Sequence, residues 1–186
     1  MQQPLPTFSQ DDAIDKLKKH GSYKPTKPYI IVSSNEQSLF LIKNKQLLKT
    51  YKISTASAGL GSQSGSFKTP LGLHKIEKKI GGDAALGSIF KARKNTGIIA
   101  KTLHKSTERS NSDNITTRIL WLNGLQDGVN KGEGIDSHKR YIYIHGTDEE
   151  GRLGQPASHG CIRMANQDIV ELFNQVESGT LVNIIE

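Results

Sequence analysis

The chain of 186 residues is long enough for one domain with a buried core, and no run approaches the roughly 18 apolar residues that a membrane helix needs. Its net charge of +7 arises before residue 141, whereas the C-terminal segment that holds the single cysteine is acidic. A basic surface attracts polyanions in general, but zinc-finger spacing and aromatic RNA-binding signatures are absent, so no nucleic-acid partner is predicted.

The N-terminal stretch "SQDDAIDKLKKH" predicts a short helix with Ser9 as its N-cap. The two prolines of Gly21 to Pro28 then favour a linker. We therefore divide the chain into an N-terminal helix and linker, residues 1–27, and a domain of residues 28–186. The first residues have no charged start followed by an apolar core, so we expect no signal peptide in this chain.

Three β-branched segments, "YIIVSS", "SLFLIK" and "QLLKTYKISTA", predict a meander of strands. The glycine-rich stretch from Ala58 to Ile76 lacks the Gly-Lys-Ser/Thr ending of a phosphate loop, so it is interpreted as an ordinary loop. Residues 78–139 are polar, and within them only "NITTRILWLNG" predicts a strand. A long irregular stretch of this kind indicates a lid or insertion beside a functional site.

The C-terminal part of the chain has the clearest patterns. "KRYIYIHGT" alternates and predicts a strand that ends at His145, with Ile142 and Ile144 on one face and His145 on the other. "ANQDIVELFNQV" has apolar residues at helical spacing, and Asn166 is its expected N-cap. A turn at Ser178-Gly179 precedes a final strand.

The only cysteine, Cys161, lies in the polar stretch "ASHGCIRM". A free cysteine is usually a small buried hydrophobe, but these neighbours favour a nucleophile, with Gly160 allowing a tight turn. His145 or His159 could serve as its base. The Gly146 carbonyl could orient the imidazole, and backbone N–H groups around Gly160 could stabilise an oxyanion.

A zinc site is the alternative interpretation of the same residues. His145, His159 and Cys161 would supply three acceptable ligands with an open position for water. The sequence contains neither His-Glu-x-x-His nor Cys-x-x-Cys, so we predict no metal and no cofactor.

The motifs resemble the active-site signature of the L,D-transpeptidase catalytic domain, the YkuD-type domain. "HGT", a spacer and then "SHGCIRM" match its His-Gly and Ser-His-Gly-Cys segments, and "KTPLG" and "RMANQD" resemble two further segments. The resemblance implies a mainly β fold, a sandwich of mixed sheets with few helices. It also implies that Cys161 attacks a peptidoglycan stem tetrapeptide and forms a thioester, with His145 as base.

Further roles follow from the same resemblance. Gly146 would supply the orienting carbonyl, and Ser158, His159 and Gly160 would shape the pocket and the oxyanion site. Arg163 could bind a charged group of the substrate, or it could brace a loop.

An amine acceptor would give 3→3 cross-links, whereas water would make the protein an L,D-carboxypeptidase or another wall-peptide hydrolase. A non-catalytic wall-binding module is a further alternative, as is the zinc hydrolase. The implied substrate places the protein in the periplasm or cell envelope.

Overall fold

The computed structural model describes residues 10–186 as a mainly β domain with two α-helices and a short 3₁₀ turn, Glu150–Arg152. This confirms the predicted fold class. The helices are α1, Gln10–Lys18, and α2, Asn166–Gln175. The strands are β1 Tyr29–Ser33, β2 Ser38–Lys43, β3 Gln46–Ser54, β4 Gly72–Ile80, β5 Ser88–Lys91, β6 Lys94–Ile99, β7 Ile115–Gly124, β8 Tyr143–Thr147, β9 Ile162–Met164 and β10 Leu181–Ile185.

These strands form one mixed sheet that closes on itself. The order is β4-β10-β1-β2-β3-β9-β8-β7, and β7 pairs back onto β4. The β1–β10 and β8–β9 pairs are parallel, and the other neighbours are antiparallel. The expected packing of sheet against sheet thus arises from opposite parts of one ring facing each other across the core.

Strand alternation fills the ring with apolar side chains. Every second residue of the ring strands points inward, as Ile30 and Val32 do on β1 and Ile142 and Ile144 do on and just before β8. Ile169, Leu172 and Phe173 of α2 pack in the same core. Burial of this continuous apolar surface is the main force that holds the ring together.

Helix α1 covers the outer face of the ring. Ala13, Ile14 and Leu17 pack against outward-facing residues of β1, β2 and β10, including Tyr29 and Phe40. The predicted helix is present, whereas its proposed cap Ser9 lies outside the described residues. Neither α1 nor α2 has the length and apolarity to cross a membrane.

The segment 78–139 contains more regular structure than its sequence predicts. Strand β4 continues to Ile80, and β5 and β6 form a hairpin that pairs with the start of β7. Strand β6 is almost wholly exposed, so it lacks the alternation of a half-buried strand, and this explains why the prediction missed it. The turn of this hairpin carries Arg93, which contacts residues beside Cys161.

Two local expectations in the C-terminal part are corrected. Strand β8 begins at Tyr143, because Tyr141 adopts the left-handed conformation with φ of 57°, so His145 lies in the middle of the strand. The N-cap of α2 is Ala165, and Asn166 is the first helical residue. Its side chain is engaged elsewhere: it accepts hydrogen bonds from Thr116 and Thr117 and donates to the carbonyl of Thr147.

We expect α1 to contribute to the stability of the whole domain. Leu17 is completely buried, so Leu17→Ala should lower the free energy of unfolding by about 2–4 kcal/mol, because it removes apolar contacts and leaves a cavity. Urea unfolding followed by circular dichroism measures the change. The exposed Leu48→Ala is the control, and an equal effect of both variants would show that α1 does not stabilise the domain.

Candidate active site

The parallel pairing of β8 and β9 brings the predicted nucleophile and base to one face of the sheet. Ile144 lies opposite Ile162, and His145 lies opposite Arg163. Because the isoleucines point into the core, His145, Arg163 and Cys161 point to the other face. Cys161 is the residue that precedes β9, and it therefore lies diagonally across from His145.

Side-chain hydrogen bonds fix the turn that carries Cys161. The Ser158 hydroxyl donates to the Cys161 carbonyl at 2.5 Å and accepts from the Gly160 N–H at 3.2 Å. Thr69 donates to the Gly160 carbonyl at 3.0 Å. Gly160 has a φ of 127°, a conformation that a side chain would strain. The conformation of the turn is thus fixed by Ser158 from within and by Thr69 from the neighbouring loop.

The thiol of Cys161 is partly buried between two backbone groups. Its Sγ lies 3.4 Å from the Tyr143 nitrogen, which donates to it, and 3.4 Å from the Tyr141 carbonyl, which accepts from it. Burial raises the pKa of Cys161 to about 12, against the opposing effects of the Tyr143 N–H and of Arg163 and Arg140. Cys161 is therefore a neutral thiol at pH 7.

The His145 imidazole is buried and oriented by its own neighbour. Its Nδ1 lies 2.6 Å from the carbonyl oxygen of Gly146, so Nδ1 carries the proton and Nε2 is the basic nitrogen. Burial lowers the pKa of His145, although Asp113 opposes this effect, and the ring is neutral at pH 7. A side chain on Gly146 would lie 2.7 Å from the Thr116 carbonyl oxygen, so only glycine fits there.

His159 lies at the exposed rim of this site. Its Nδ1 is 2.7 Å from Asp113, and its ring makes an edge contact with the exposed Phe67. Sequence analysis missed Asp113, which lies in an Asn- and Ser-rich stretch with no pattern of its own. Arg140 was also missed. It donates to the Lys68 carbonyl at 2.7 Å and so ties the glycine-rich loop to the site.

Arg163 is buried and clamped between two carboxylates. Its guanidinium lies 2.6 Å from Asp113 and 2.9 Å from Glu149, and the side chain is only 2% exposed. Burial would raise the pKa of both acids, but Arg163 contributes to holding both below their usual values. This geometry favours the bracing role over direct substrate binding, because both carboxylates already occupy the guanidinium.

The arrangement provides a thiol, a neutral imidazole and nearby backbone donors. Within residues 10–186 no hydrogen bond joins Sγ to the His145 ring, although the two groups lie on the same face of the sheet. The Gly160 N–H is engaged by Ser158 and the Tyr143 N–H by Sγ, which leaves the N–H of Cys161 as the candidate oxyanion donor of these three. Across the same residues no group of three His, Cys, Asp or Glu side chains is arranged as a metal site, so the zinc alternative has no ligand cluster.

The protonated resting thiol has a measurable consequence. Only the thiolate reacts with iodoacetamide, so alkylation of Cys161 should be slower at pH 7 than alkylation of the same cysteine in the urea-unfolded chain. In the folded protein the alkylation rate should still increase above pH 9.0, the pKa of an ordinary thiol, because the pKa of Cys161 is higher than that value. A rate that reaches its plateau below pH 8 would instead indicate a preformed thiolate–imidazolium pair.

Breaking the Arg163 clamp should destabilise the fold. Arg163→Met leaves Asp113 and Glu149 buried without their cation, at a cost of about 3–5 kcal/mol at pH 7. The loss should shrink at pH 4, where both carboxylates, freed of the cation that lowers their pKa, can bind protons. Urea unfolding at both pH values measures this.

The control for this experiment is the exposed pair of Lys49 and Glu171, whose atoms lie 3.1 Å apart. Lys49→Met should cost less than about 1 kcal/mol, because water screens an exposed pair. Equal losses for the two variants would contradict the structural importance of the buried clamp.

Sequence comparisons relate this chain to a known family. Residues 27–184 match the family model described as the L,D-transpeptidase catalytic domain, YkuD. The putative L,D-transpeptidase YkuD of Bacillus subtilis is 46% identical over 46 residues, which cover 25% of this chain and 28% of that protein. The probable L,D-transpeptidase YcfS of Escherichia coli is 50% identical over 42 residues, which cover 23% of this chain and 13% of that protein.

Solved structures share the fold at low sequence identity. L,D-transpeptidase 3 from Mycobacterium tuberculosis matches 86% of this chain and 61% of its own, with a TM-score of 0.52 and 15% identity. A mutant L,D-transpeptidase of Enterococcus faecium matches 86% of this chain and 50% of its own, with a TM-score of 0.51 and 17% identity. Because the family model covers most of its length, the chain belongs to the YkuD family of L,D-transpeptidase catalytic domains.

Proposed function

We propose that the protein is a peptidoglycan L,D-transpeptidase that forms 3→3 cross-links through a thioester on Cys161. The observation that carries this proposal is the placement of Cys161 and the Gly146-oriented His145 on one face of the parallel β8–β9 pair. A nucleophile, a base and a group that orients the base are the three parts that acyl transfer requires.

The first half of the reaction acylates the thiol. Nε2 of His145 takes the Sγ proton as Sγ attacks the carbonyl carbon of the third stem residue. The resulting oxyanion is stabilised by nearby N–H groups, with that of Cys161 as a candidate. The C–N bond to the terminal D-Ala then breaks, and the protonated His145 gives its proton to the leaving amine.

The second half transfers the acyl group. A side-chain amine of a second stem attacks the thioester carbonyl and gives a proton to His145, which returns it to the departing sulfur. A new amide bond forms, and the Cys161 thiol is restored. Neither half consumes a cofactor, and every proton removed is returned.

Because Cys161 and His145 start without a direct hydrogen bond, we infer that substrate binding closes the gap between them. Catalytic hydrogen bonds commonly tighten only in the substrate complex. The neutral thiol and neutral imidazole fit this sequence of events, since the proton moves only when a carbonyl is in place to be attacked.

Two specificities are compatible with the same catalytic pair. Water in place of the amine would give an L,D-carboxypeptidase or another wall-peptide hydrolase by the same steps. Because the pKa of Cys161 is raised, slow alkylation does not identify a vestigial, wall-binding site. The thiol of an active site of this kind would also react slowly in the absence of substrate. Only turnover of a stem peptide separates these alternatives.

In this proposal, the partner and the cellular location of the protein follow from its substrate. Peptidoglycan stem peptides are the partner, and the protein acts in the periplasm or cell envelope. The basic excess of residues 1–140 supports an approach to an anionic cell-wall polymer, because a positive surface raises the local concentration of polyanions.

Mass spectrometry after incubation with a disaccharide tetrapeptide tests the proposal. The wild type should release D-Ala and produce a cross-linked dimer, and a thioester adduct should be found on Cys161. Cys161→Ala should abolish turnover, and His145→Gln should lower the rate by about 100-fold or more, because it removes the general base.

The matched control is His20→Gln, since this histidine lies in the turn that follows α1 and outside the site, and the variant should keep the wild-type rate. Loss of D-Ala without a dimer would establish the carboxypeptidase. If the wild type left the tetrapeptide intact, or if Cys161→Ala still processed it, the thioester mechanism on this substrate would be wrong.

A further inference from the structure

A cation–aromatic cluster lies beside Cys161 and has no part in the catalytic steps. It consists of Arg93 from the β5–β6 turn, Trp121 of β7, Tyr141 before β8, and Tyr143 of β8. We call these four residues the Arg93 cluster. Trp121 lies opposite Tyr143 in the β7–β8 pairing, and their rings meet edge to face at 5.7 Å.

Arg93 is held in place by two aromatic rings and a hydroxyl. Its guanidinium carbon lies 4.9 Å from the centre of the Trp121 ring and 4.8 Å from that of Tyr141. Its Nη1 donates to the Tyr143 hydroxyl at 3.3 Å. Cation–π contacts of this kind orient a guanidinium while leaving its edge free for other partners.

The Arg93 cluster and the nucleophile are joined through the backbone. The Tyr143 N–H donates a hydrogen bond to Sγ of Cys161, and the Tyr141 carbonyl accepts a hydrogen bond from the thiol. Tyr141 has a φ of 57°, a strained conformation for a bulky residue, and 51% of it is exposed. Strain of this kind is often retained at binding sites, and here it presents an aromatic ring at the edge of the reactive thiol.

Arg93 has binding capacity that the protein itself does not use. A guanidinium offers five N–H donors in a planar fork, and only one of them is engaged within the part of the chain that the structure describes. No carboxylate of those residues pairs with Arg93, in contrast to Arg163, which has two. A partly exposed, oriented and unpaired guanidinium is suited to bind a carboxylate through two parallel hydrogen bonds.

We propose that Arg93 binds a carboxylate of the donor stem peptide close to the scissile bond. This inference rests on the proposed function, because the donor carbonyl must lie at Sγ. Two carboxylates flank that bond in a stem tetrapeptide: the terminal carboxylate of the leaving D-residue, and the side-chain carboxylate of a diamino acid at the third position. The shared chemistry is a single carboxylate, and Tyr141 and Trp121 supply the apolar walls of the subsite.

Calorimetric binding to Cys161→Ala protein tests the subsite without turnover. Three ligands are compared: the tetrapeptide, its C-terminal amide, and the peptide amidated at the third side chain. Arg93→Gln should weaken binding of the tetrapeptide by about 10- to 100-fold, which corresponds to the loss of a hydrogen-bonded charge pair. Arg93→Lys keeps the charge but loses the planar set of donors, so its affinity for the tetrapeptide should lie between that of the parent protein and that of Arg93→Gln.

The ligand series identifies which carboxylate is bound. The amide that lacks the bound carboxylate should bind the Cys161→Ala protein as weakly as the tetrapeptide binds the Cys161→Ala/Arg93→Gln protein. In that double variant, amidation of the same carboxylate should not weaken binding further. The neighbouring exposed cation gives the control, since Lys94→Gln should leave all three affinities unchanged. Tryptophan fluorescence during thermal unfolding checks that the variants keep the hairpin packed on Trp121.

Two results separate this inference from the proposed function. If the wild type processes the tetrapeptide while Arg93→Gln binds all three ligands as tightly as its parent, the subsite is wrong and the function stands. If binding depends on Arg93 and on one carboxylate while the wild type turns nothing over, the subsite stands and the function falls. Absence of any binding to the parent protein at millimolar peptide overturns both.

Discussion

The pairing of β8 with β9 is the constraint on which the candidate site depends. These two strands are parallel neighbours, so a single register sets where His145, Cys161 and Arg163 lie relative to one another. A shift of β9 by one residue would turn Cys161 and Arg163 into the apolar core and leave His145 on the outer face, because successive residues of a strand point to opposite faces. The core side chains Ile144 and Ile162 therefore hold His145 and Cys161 in place as effectively as any contact within the candidate site.

The charged network around Arg163 adds a second constraint that acts through electrostatics. Strand β9 is only three residues long and has few backbone hydrogen bonds of its own. The clamp of Asp113 and Glu149 on its central side chain ties that strand to two separate loops. A buried pair of this type contributes less to net stability than to the choice of one arrangement over others. The loop that carries Asp113, whose carboxylate also contacts His159 at the rim, is thereby fixed to the strand that follows Cys161.

Sequence reasoning succeeded where a pattern repeats or a motif is short. Alternation in "KRYIYIHGT" predicted that Ile144 and His145 lie on opposite faces of a strand, and the periodic "DIVELF" segment predicted α2. It failed where a residue's role depends on a distant partner. Asp113 meets Arg163 across 50 positions of the chain, and the exposed strand β6 leaves no apolar period to detect. Asn166 has the residue type of a cap, but its side chain is drawn to Thr116, Thr117 and Thr147 by hydrogen bonds that no local rule contains.

The protonated state of Cys161 also bears on how the thiol resists oxidation. Peroxides and disulfides react with thiolates far faster than with thiols, so a cysteine whose pKa lies near 12 is slow to become sulfenic acid or a mixed disulfide. No second cysteine is present to repair such damage by exchange. Burial of the sulfur between Tyr141 and Tyr143 thus protects the thiol from oxidation, and in the proposed mechanism it reacts only when an acyl group docks against it.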